Sequence, residues 1–320
     1  MTEFVTYSPE EIINSNLLST ASRLDGVCEQ ELAHLGELAH EIAQTLEDGA
    51  PFSEILPDHT PLALTNVPLS VLDQNAPAVR SARELHSTWQ KAWLCMELYR
   101  ILSKKRQLSE SLFFPESEEL SSNAYHRIAY QRNSYADSAY LKFAKLLPLP
   151  RLSYAHSFAS ACEEVYNGLC EFCILPLEST AEGLLSTFFR LMEQYDLKIA
   201  ATCDIASGAD ATRTSRFALL RRSLTPTLDP RQESLYFSFC IPQRSEPGLS
   251  ELMLVTKLYG IEVTRVDSFF AHREEIGPSI RLTLLTDRVR LYAFLLYLSM
   301  ELPHAYPIGL YLHLPHGDRR

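Results

Sequence analysis

The stretch Phe158-Ala-Ser-Ala-Cys-Glu-Glu-Val-Tyr-Asn-Gly168, followed by Glu171-Phe-Cys-Ile-Leu-Pro-Leu-Glu-Ser-Thr180, reads as a helix, a glycine stop and a buried strand. Its apolar run Cys173–Leu177 has the length of a strand, and Glu178-Ser179-Thr180 supplies a polar turn just beyond it. Hydroxyls are therefore placed past the carboxyl end of a strand, where open α/β sheets hold their ligands. Gly183 closes the turn, a helix-like run follows, and Leu197-Lys-Ile-Ala-Ala201 and Thr214-Ser-Arg-Phe217 continue the pattern.

This order of motifs resembles the prephenate dehydratase family, whose strand ends in Pro-Ile-Glu-Asn-Ser-x-x-Gly and whose last strand carries Thr-Arg-Phe. Pro176-Leu-Glu-Ser-Thr-Ala-Glu-Gly183 and Ser215-Arg-Phe217 stand in those places. Arg127-Ile-Ala-Tyr-Gln131 and Ser134-Tyr-Ala-Asp-Ser-Ala139 are similar to the family's first strand and the helix after it. Two departures matter. Arg132-Asn133 replaces the family's Gly-Pro-x-Gly turn, so the backbone loses its close approach to an anion. Ile205 and Thr214 are joined by a short connection where the family inserts a whole second α/β lobe, leaving one wall of the substrate cleft.

Prephenate carries two carboxylates and loses its ring hydroxyl as carbon dioxide leaves, so the family chemistry needs fixed donors and an acid near that hydroxyl. The resemblance implies Ser215 as donor to the departing hydroxyl and Arg216 as carboxylate partner, these two being the catalytic candidates. Glu178, Ser179, Thr180, Phe217 and Ser134 are the implied substrate-binding residues, with a turn and helix cap as the competing reading of Glu178–Thr180.

A formal charge of −11 disfavours nucleic acid or an anionic membrane as the main partner. No run approaches the roughly 20 apolar residues of a membrane span, and the N-terminus lacks a signal-peptide pattern. A cytoplasmic location is expected. The seven cysteines read as reduced thiols. Cys170-Glu-Phe-Cys173 leads into a strand rather than opening a helix, so neither redox use, a metal site nor any cofactor is expected from it. The histidines have no spacing suited to a metal or a triad.

In the N-terminal part, Ser8-Pro9-Glu10-Glu11 carries helix-start signals. Periodic apolar residues predict helices over about 28–47 and 78–105, separated by a proline-rich connection. Residues 1–110 are expected to form a helical domain and 111–124 a linker, with the one-lobe prephenate dehydratase-like α/β domain at 125–226.

From Leu235 the pattern is strand Leu235–Ile241, helix Pro247–Tyr259, strands Ile261–Phe269 and Ser279–Thr286, helix Arg288–Glu301 and strand Ile308–His313. That βαββαβ order predicts a ferredoxin-like unit over 232–315. It resembles the ACT domain that follows prephenate dehydratase and binds phenylalanine between subunits. The resemblance implies Gly248, Leu249, Asp267 and Ser268 as regulatory ligand contacts, whereas Phe269 replaces the family's arginine.

The expected whole is a multidomain α and α/β chain of the aromatic amino-acid branch. It would bind a small aromatic acid or amino acid without catalysis and form a homo-oligomer through the ACT-like unit. The alternatives are an active dehydratase completed by the N-terminal domain or another subunit, and an interaction protein with no small-molecule ligand.

Overall fold

The computed structural model describes residues 29–41, 43–44, 88–104, 124–180, 183–207, 210–224, 234–243, 245, 247–270, 278–302 and 305–315. The expected Ser8 helix, the proline-rich connection and the 111–123 part of the linker lie outside them. Helix α1 covers residues 29–41, and its apolar stripe buries Leu35, Leu38 and Ala39. Then come α2 (Thr88–Lys104), β1 (His126–Gln131), α3 (Ser134–Phe143), β2 (Pro150–Ala155), α4 (Phe158–Tyr166), β3 (Phe172–Ser179), β4 (Gly183–Leu184) and α5 (Ser186–Gln194). The chain continues through β5 (Lys198–Ser207), β6 (Asp210–Arg221), β7 (Leu235–Pro242), α6 (Leu249–Leu258), β8 (Glu262–Phe270), β9 (Pro278–Thr286), α7 (Arg288–Glu301) and β10 (Tyr306–Leu314). Gly168, at φ 72°, supplies the left-handed residue that ends α4.

One sheet holds the described strands in the order β2-β1-β3-β6-β5-β10-β7-β9-β8, with the short β4 paired to β3. Strands β2, β1 and β3 run parallel, and α3 and α4 cross over opposite faces. Ile128 and Tyr130 pack with Ala136, Ala139 and Phe143 of α3, while Ala129 and Cys173 pack with Ala161, Cys162 and Val165 of α4. β5 and β6 follow as a direct antiparallel hairpin, paired down to Ser207↔Asp210. The βαββαβ element order over β7–β10 is the one read from the sequence.

The boundary expected between 226 and 232 does not divide the sheet, because β10 pairs with β7 on one side and with β5 in parallel on the other. Of the two edges of the four-stranded unit, the β10 edge is occupied by β5 of the same chain and β8 ends the sheet. One side of α2 packs on the C-terminal half: Ala92 and Cys95 join α6, α7 and the phenylalanines Phe237, Phe239 and Phe294, and Tyr259 Oη donates to the Ala92 carbonyl at 2.6 Å. Each such phenylalanine, fully buried, contributes roughly 1.5–3 kcal/mol of hydrophobic stabilisation.

The sheet also curls. β3 and β8 are six strand steps apart, about 29 Å along a flat sheet, yet Arg265 of β8 forms an ion pair with Glu178 of β3. α5 fills the concave side, where Phe188, Leu191 and Met192 meet Leu175 and Leu177 from one half and Cys240, Ile308 and Tyr311 from the other. The two halves consequently share a core.

The junction depends on Gly309, which sits opposite Ile199. A Cβ there would lie 2.6 Å from Ile199 Cβ and 2.8 Å from the Ile199 carbonyl oxygen. Gly309→Ala should therefore lower stability by about 1–3 kcal/mol, read as a lower urea midpoint. Ile199→Ala should not rescue it, since the obstructing atoms remain. An unchanged midpoint in Gly309→Ala would mean that β5 and β10 are not held this close.

Candidate functional site

In the parallel part the chain passes from β1 to β2 on one side and then back over β1 to β3 on the other. A crevice opens beyond the carboxyl ends of β1 and β3 at such a reversal. An open recess of about 290 Å³ lies there, lined by Asn133, Tyr135, Phe158, Pro176, Glu178, Ser179, Leu185, Ser215 and Phe217.

Of the candidates expected from sequence, Glu178, Ser179, Ser215 and Phe217 are brought together in this recess. Ser179 and Ser215 face each other as register partners across β3 and β6. Thr180 and Ser134 are not among the lining residues. The Thr180 hydroxyl accepts from the Thr214 N–H at 3.2 Å and the Thr180 N–H donates to the Thr214 carbonyl at 3.0 Å, so this residue fastens the end of β3 to β6. Ser134 is the exposed first residue of α3. Its neighbours line the recess instead, and Asn133, Tyr135, Phe158, Pro176 and Leu185 went unread as site residues. For Asn133 a signal existed, since an Asn directly before a helix is a cap.

That cap has a chemical consequence. Asn133 Oδ1 accepts from the N–H groups of Tyr135 at 3.1 Å and Ala136 at 2.8 Å. Helix α4 is closed in the same way by Ser157 and Ser160 in a reciprocal pair. The N–H groups of Tyr135 and Ala136 in α3 and of Ser160 in α4, which could otherwise face an anion, already have acceptors.

Arg216 departs furthest from its expected place. Neighbouring residues of a strand point to opposite faces, so β6 cannot present Ser215, Arg216 and Phe217 to one recess. Arg216 turns to the α5 face, where Nε donates to Asp204 Oδ1 at 2.7 Å, Nη2 to Asp204 Oδ2 at 3.3 Å, and Nη1 lies 3.0 Å from Glu178 Oε1. Ser215 and Arg216 thus lie on opposite faces of β6, one lining the recess and the other bound to Asp204 and Glu178.

On that face the ion pairs form a string. His313 Nε2 lies 3.2 Å from Asp204 Oδ2, and His313 Nδ1 lies 3.0 Å from Thr202 Oγ1. From Arg216 the string passes through Glu178 to Arg265, whose Nε donates to Asp267 Oδ1 at 2.9 Å, and ends at Arg281. Burial alone would raise the Asp204 carboxyl, but hydrogen bonds from His313 and Arg216 outweigh it and hold the group well below the usual carboxylate range. Asp267 behaves likewise: burial raises it, and Arg281 and then Arg265 bring it down. Burial would lower the Arg216 guanidinium, and Asp204 raises it above its ordinary value.

The residues expected to hold a regulatory ligand are similarly engaged. The Gly248 N–H donates to Glu251 Oε2 at 2.9 Å, and Leu249 packs against the core of the C-terminal half. Asp267 is bound by two arginines, while Ser268, the next residue on the strand, faces the opposite side and is exposed. Cys170 and Cys173 are buried free thiols, and burial, followed by the Glu164 hydrogen bond, pushes Cys170 up to about 11. No group of metal-ligating side chains occurs among the described residues. None of the described helices is long and apolar enough to cross a membrane.

Because the folded pKa of Asp204 is depressed, its contribution to stability is complete above the unfolded value of about 3.9 and is lost as pH falls through the folded value. Asp204→Asn should lower stability by about 1.5–3 kcal/mol near neutral pH, and the gap to the parent protein should narrow below about pH 4. Urea titrations of both proteins at neutral and acid pH check this, and a gap that stays constant would remove the ion-pair account.

No protein-family model and no curated protein matches the chain. Among solved structures it is similar to prephenate dehydratase from Streptococcus mutans, with TM-score 0.47 and 20% identity over 59% of this chain and 99% of that chain. It is similar to prephenate dehydratase from Arthrobacter aurescens in complex with L-Phe, with TM-score 0.43 and 12% identity over 58% and 90%. A protein described as a novel type of quorum-quenching acylase, GqqA, gives TM-score 0.45 and 17% identity over 58% and 94%.

Proposed function

We propose that the chain is a prephenate dehydratase-like protein of the aromatic amino-acid branch that binds a small aromatic acid or amino acid in the β1/β3 recess and does not turn over prephenate. The observation that carries this reading is the placement of Arg216, on the far side of β6 from Ser215 and bound to Asp204 and Glu178. A dicarboxylate needs fixed cations, and the described lining of the recess includes neither arginine nor lysine. The recess offers rings instead: Tyr135, Phe158 and Phe217 suit one aromatic group, with the Ser179 and Ser215 side chains beside it.

The order of sequence motifs supports the family reading, and the β5–β6 hairpin supports its reduced form, because the strands join directly where the family has its second lobe. For the alternative of an active enzyme completed by the N-terminal part, α2 is poorly placed, since it packs on α6 and α7. Assembly, if it uses the ACT-like unit, would proceed through the β8 side, the β10 edge being taken. Light scattering of the full chain at micromolar concentration should then give at least a dimer, and a monomer would remove that part of the proposal.

The purified full chain should convert prephenate to phenylpyruvate no faster than the uncatalysed background. Removal of one well-placed donor typically costs about 100-fold or more, and the described lining of the recess carries no cation, while the β5–β6 hairpin stands where the family has its second lobe. An enzymatic rate that is lost in Ser215→Ala would overturn the non-catalytic reading.

A further inference from the structure

Strand β2 ends the sheet on the side away from β8, and its residues Pro150-Arg-Leu-Ser-Tyr-Ala155 alternate in character. The Ser153 hydroxyl donates to Glu164 of α4 at 3.0 Å, and the Tyr154 ring stands edge-on to Tyr130, on the α3 side, at 5.5 Å. Arg151 and Ser153 therefore face α4, while Leu152 and Tyr154 face α3, which leaves these two apolar side chains 46% and 48% exposed. The His126 N–H donates to the Leu149 carbonyl at 3.3 Å. The N–H and C=O of one strand residue point the same way and those of the next point oppositely, so Arg151 and Ser153 bond to β1 and Leu152 and Tyr154 turn their backbone groups outward. Among the described residues no strand pairs with them there. The charges around this edge are of one sign. Arg151 is in direct register with Arg127 of β1, both are exposed, and like charges directly opposite repel. Arg151 lies over the Tyr125 ring, 3.3 Å from its centroid, and exposed Arg132 lies 5.2 Å from that of Tyr154. Among the described residues none of these three arginines has a carboxylate partner, whereas Arg216, Arg265 and Arg281 each hold at least one.

We infer that the β2 edge is a docking strand for an extended acidic segment of a partner protein. The segment adds to the sheet by bonding to the outward N–H and C=O groups of Leu152 and Tyr154. Its alternate residues are acidic on the α4 side, where a carboxylate on Arg151 offsets the repulsion from Arg127, and apolar on the α3 side, where they cover Leu152 and Tyr154. Charge on an edge strand ordinarily deters indiscriminate pairing. Here the deterrent has one sign, so it selects among strands as well as repelling them. A second copy of β2 would bring two more arginines to the same face, and a basic segment would add its own cations. An acidic strand meets neither obstacle, although the chain as a whole carries a formal charge of −11.

The test is fluorescence anisotropy of the purified full chain with a labelled, end-blocked hexapeptide, Glu-Leu-Glu-Val-Glu-Leu, its counterpart with lysine for glutamate, and an analogue N-methylated at every residue. The glutamate peptide should bind at least about tenfold more tightly than the lysine peptide. The methylated analogue, which has no N–H to donate to the edge, should not bind. Arg151→Glu should invert the preference, weakening the glutamate peptide and tightening the lysine peptide by about tenfold each. Thermal melting by circular dichroism verifies that the variant is folded. Should it fail to fold, Arg151→Met decides: loss of the preference supports docking at this edge, and an undiminished preference overturns it. Equal binding of the two charged peptides, binding of the methylated analogue, or no binding of the glutamate peptide also overturns it. A dimer by light scattering that Arg151→Glu dissociates would place a second copy on the edge and overturn the acidic partner.

Discussion

The parallel pairing of β5 with β10 is the constraint on which the rest depends. It admits only a glycine at 309, where the Ile199 backbone and Cβ leave no space for a side chain, and it turns what would be two sheets into one. A sheet of this length that twists and coils must bring its far strands round, and α5 fixes how far by occupying the concave side. Only then do Glu178 and Arg265 meet. The ion-pair string is thus a product of sheet geometry, and the recess, whose edge is Glu178, is tied through it to β8 and β9.

Local signals in the sequence were sufficient for local structure. The apolar runs Cys173–Leu177 and Leu235–Ile241 each depend on residues a few positions apart, and strands formed where that spacing placed them. Gly168 was legible for the same reason, since a helix stop is set by one residue's φ. Gly309 was not. Its requirement comes from a strand more than a hundred residues away, and nothing beside it distinguishes it from an ordinary loop or strand glycine.

The candidate site was half legible, and the missing half has one cause. Motif order brought Glu178, Ser179, Ser215 and Phe217 to one recess, because the end of β3 lies in register with the middle of β6. Adjacent letters in a motif, however, do not share a face in a strand. Ser215 and Arg216 stand together in the sequence and on opposite sides of the sheet, and so do Asp267 and Ser268. Asn133, Tyr135 and Phe158 join the recess from loops and helix starts, where tertiary placement rather than pattern decides what side chains reach.

Those opposite faces explain why so many charges lie in pairs. A strand that carries Arg216 must put it somewhere, and on the α5 face a lone guanidinium would be left partly desolvated without an anion. Asp204 and Glu178 meet that need from both flanking strands, at the register positions directly across from Arg216. Glu178 in turn has two oxygens and engages a second arginine, which itself needs Asp267. Each step of the string neutralises the one before it, so the chain of pairs extends until it reaches Arg281, largely buried over the face of Phe189. A protein organised in this way spends its cations internally, and at Glu178 that internal balance borders an open, ring-lined space.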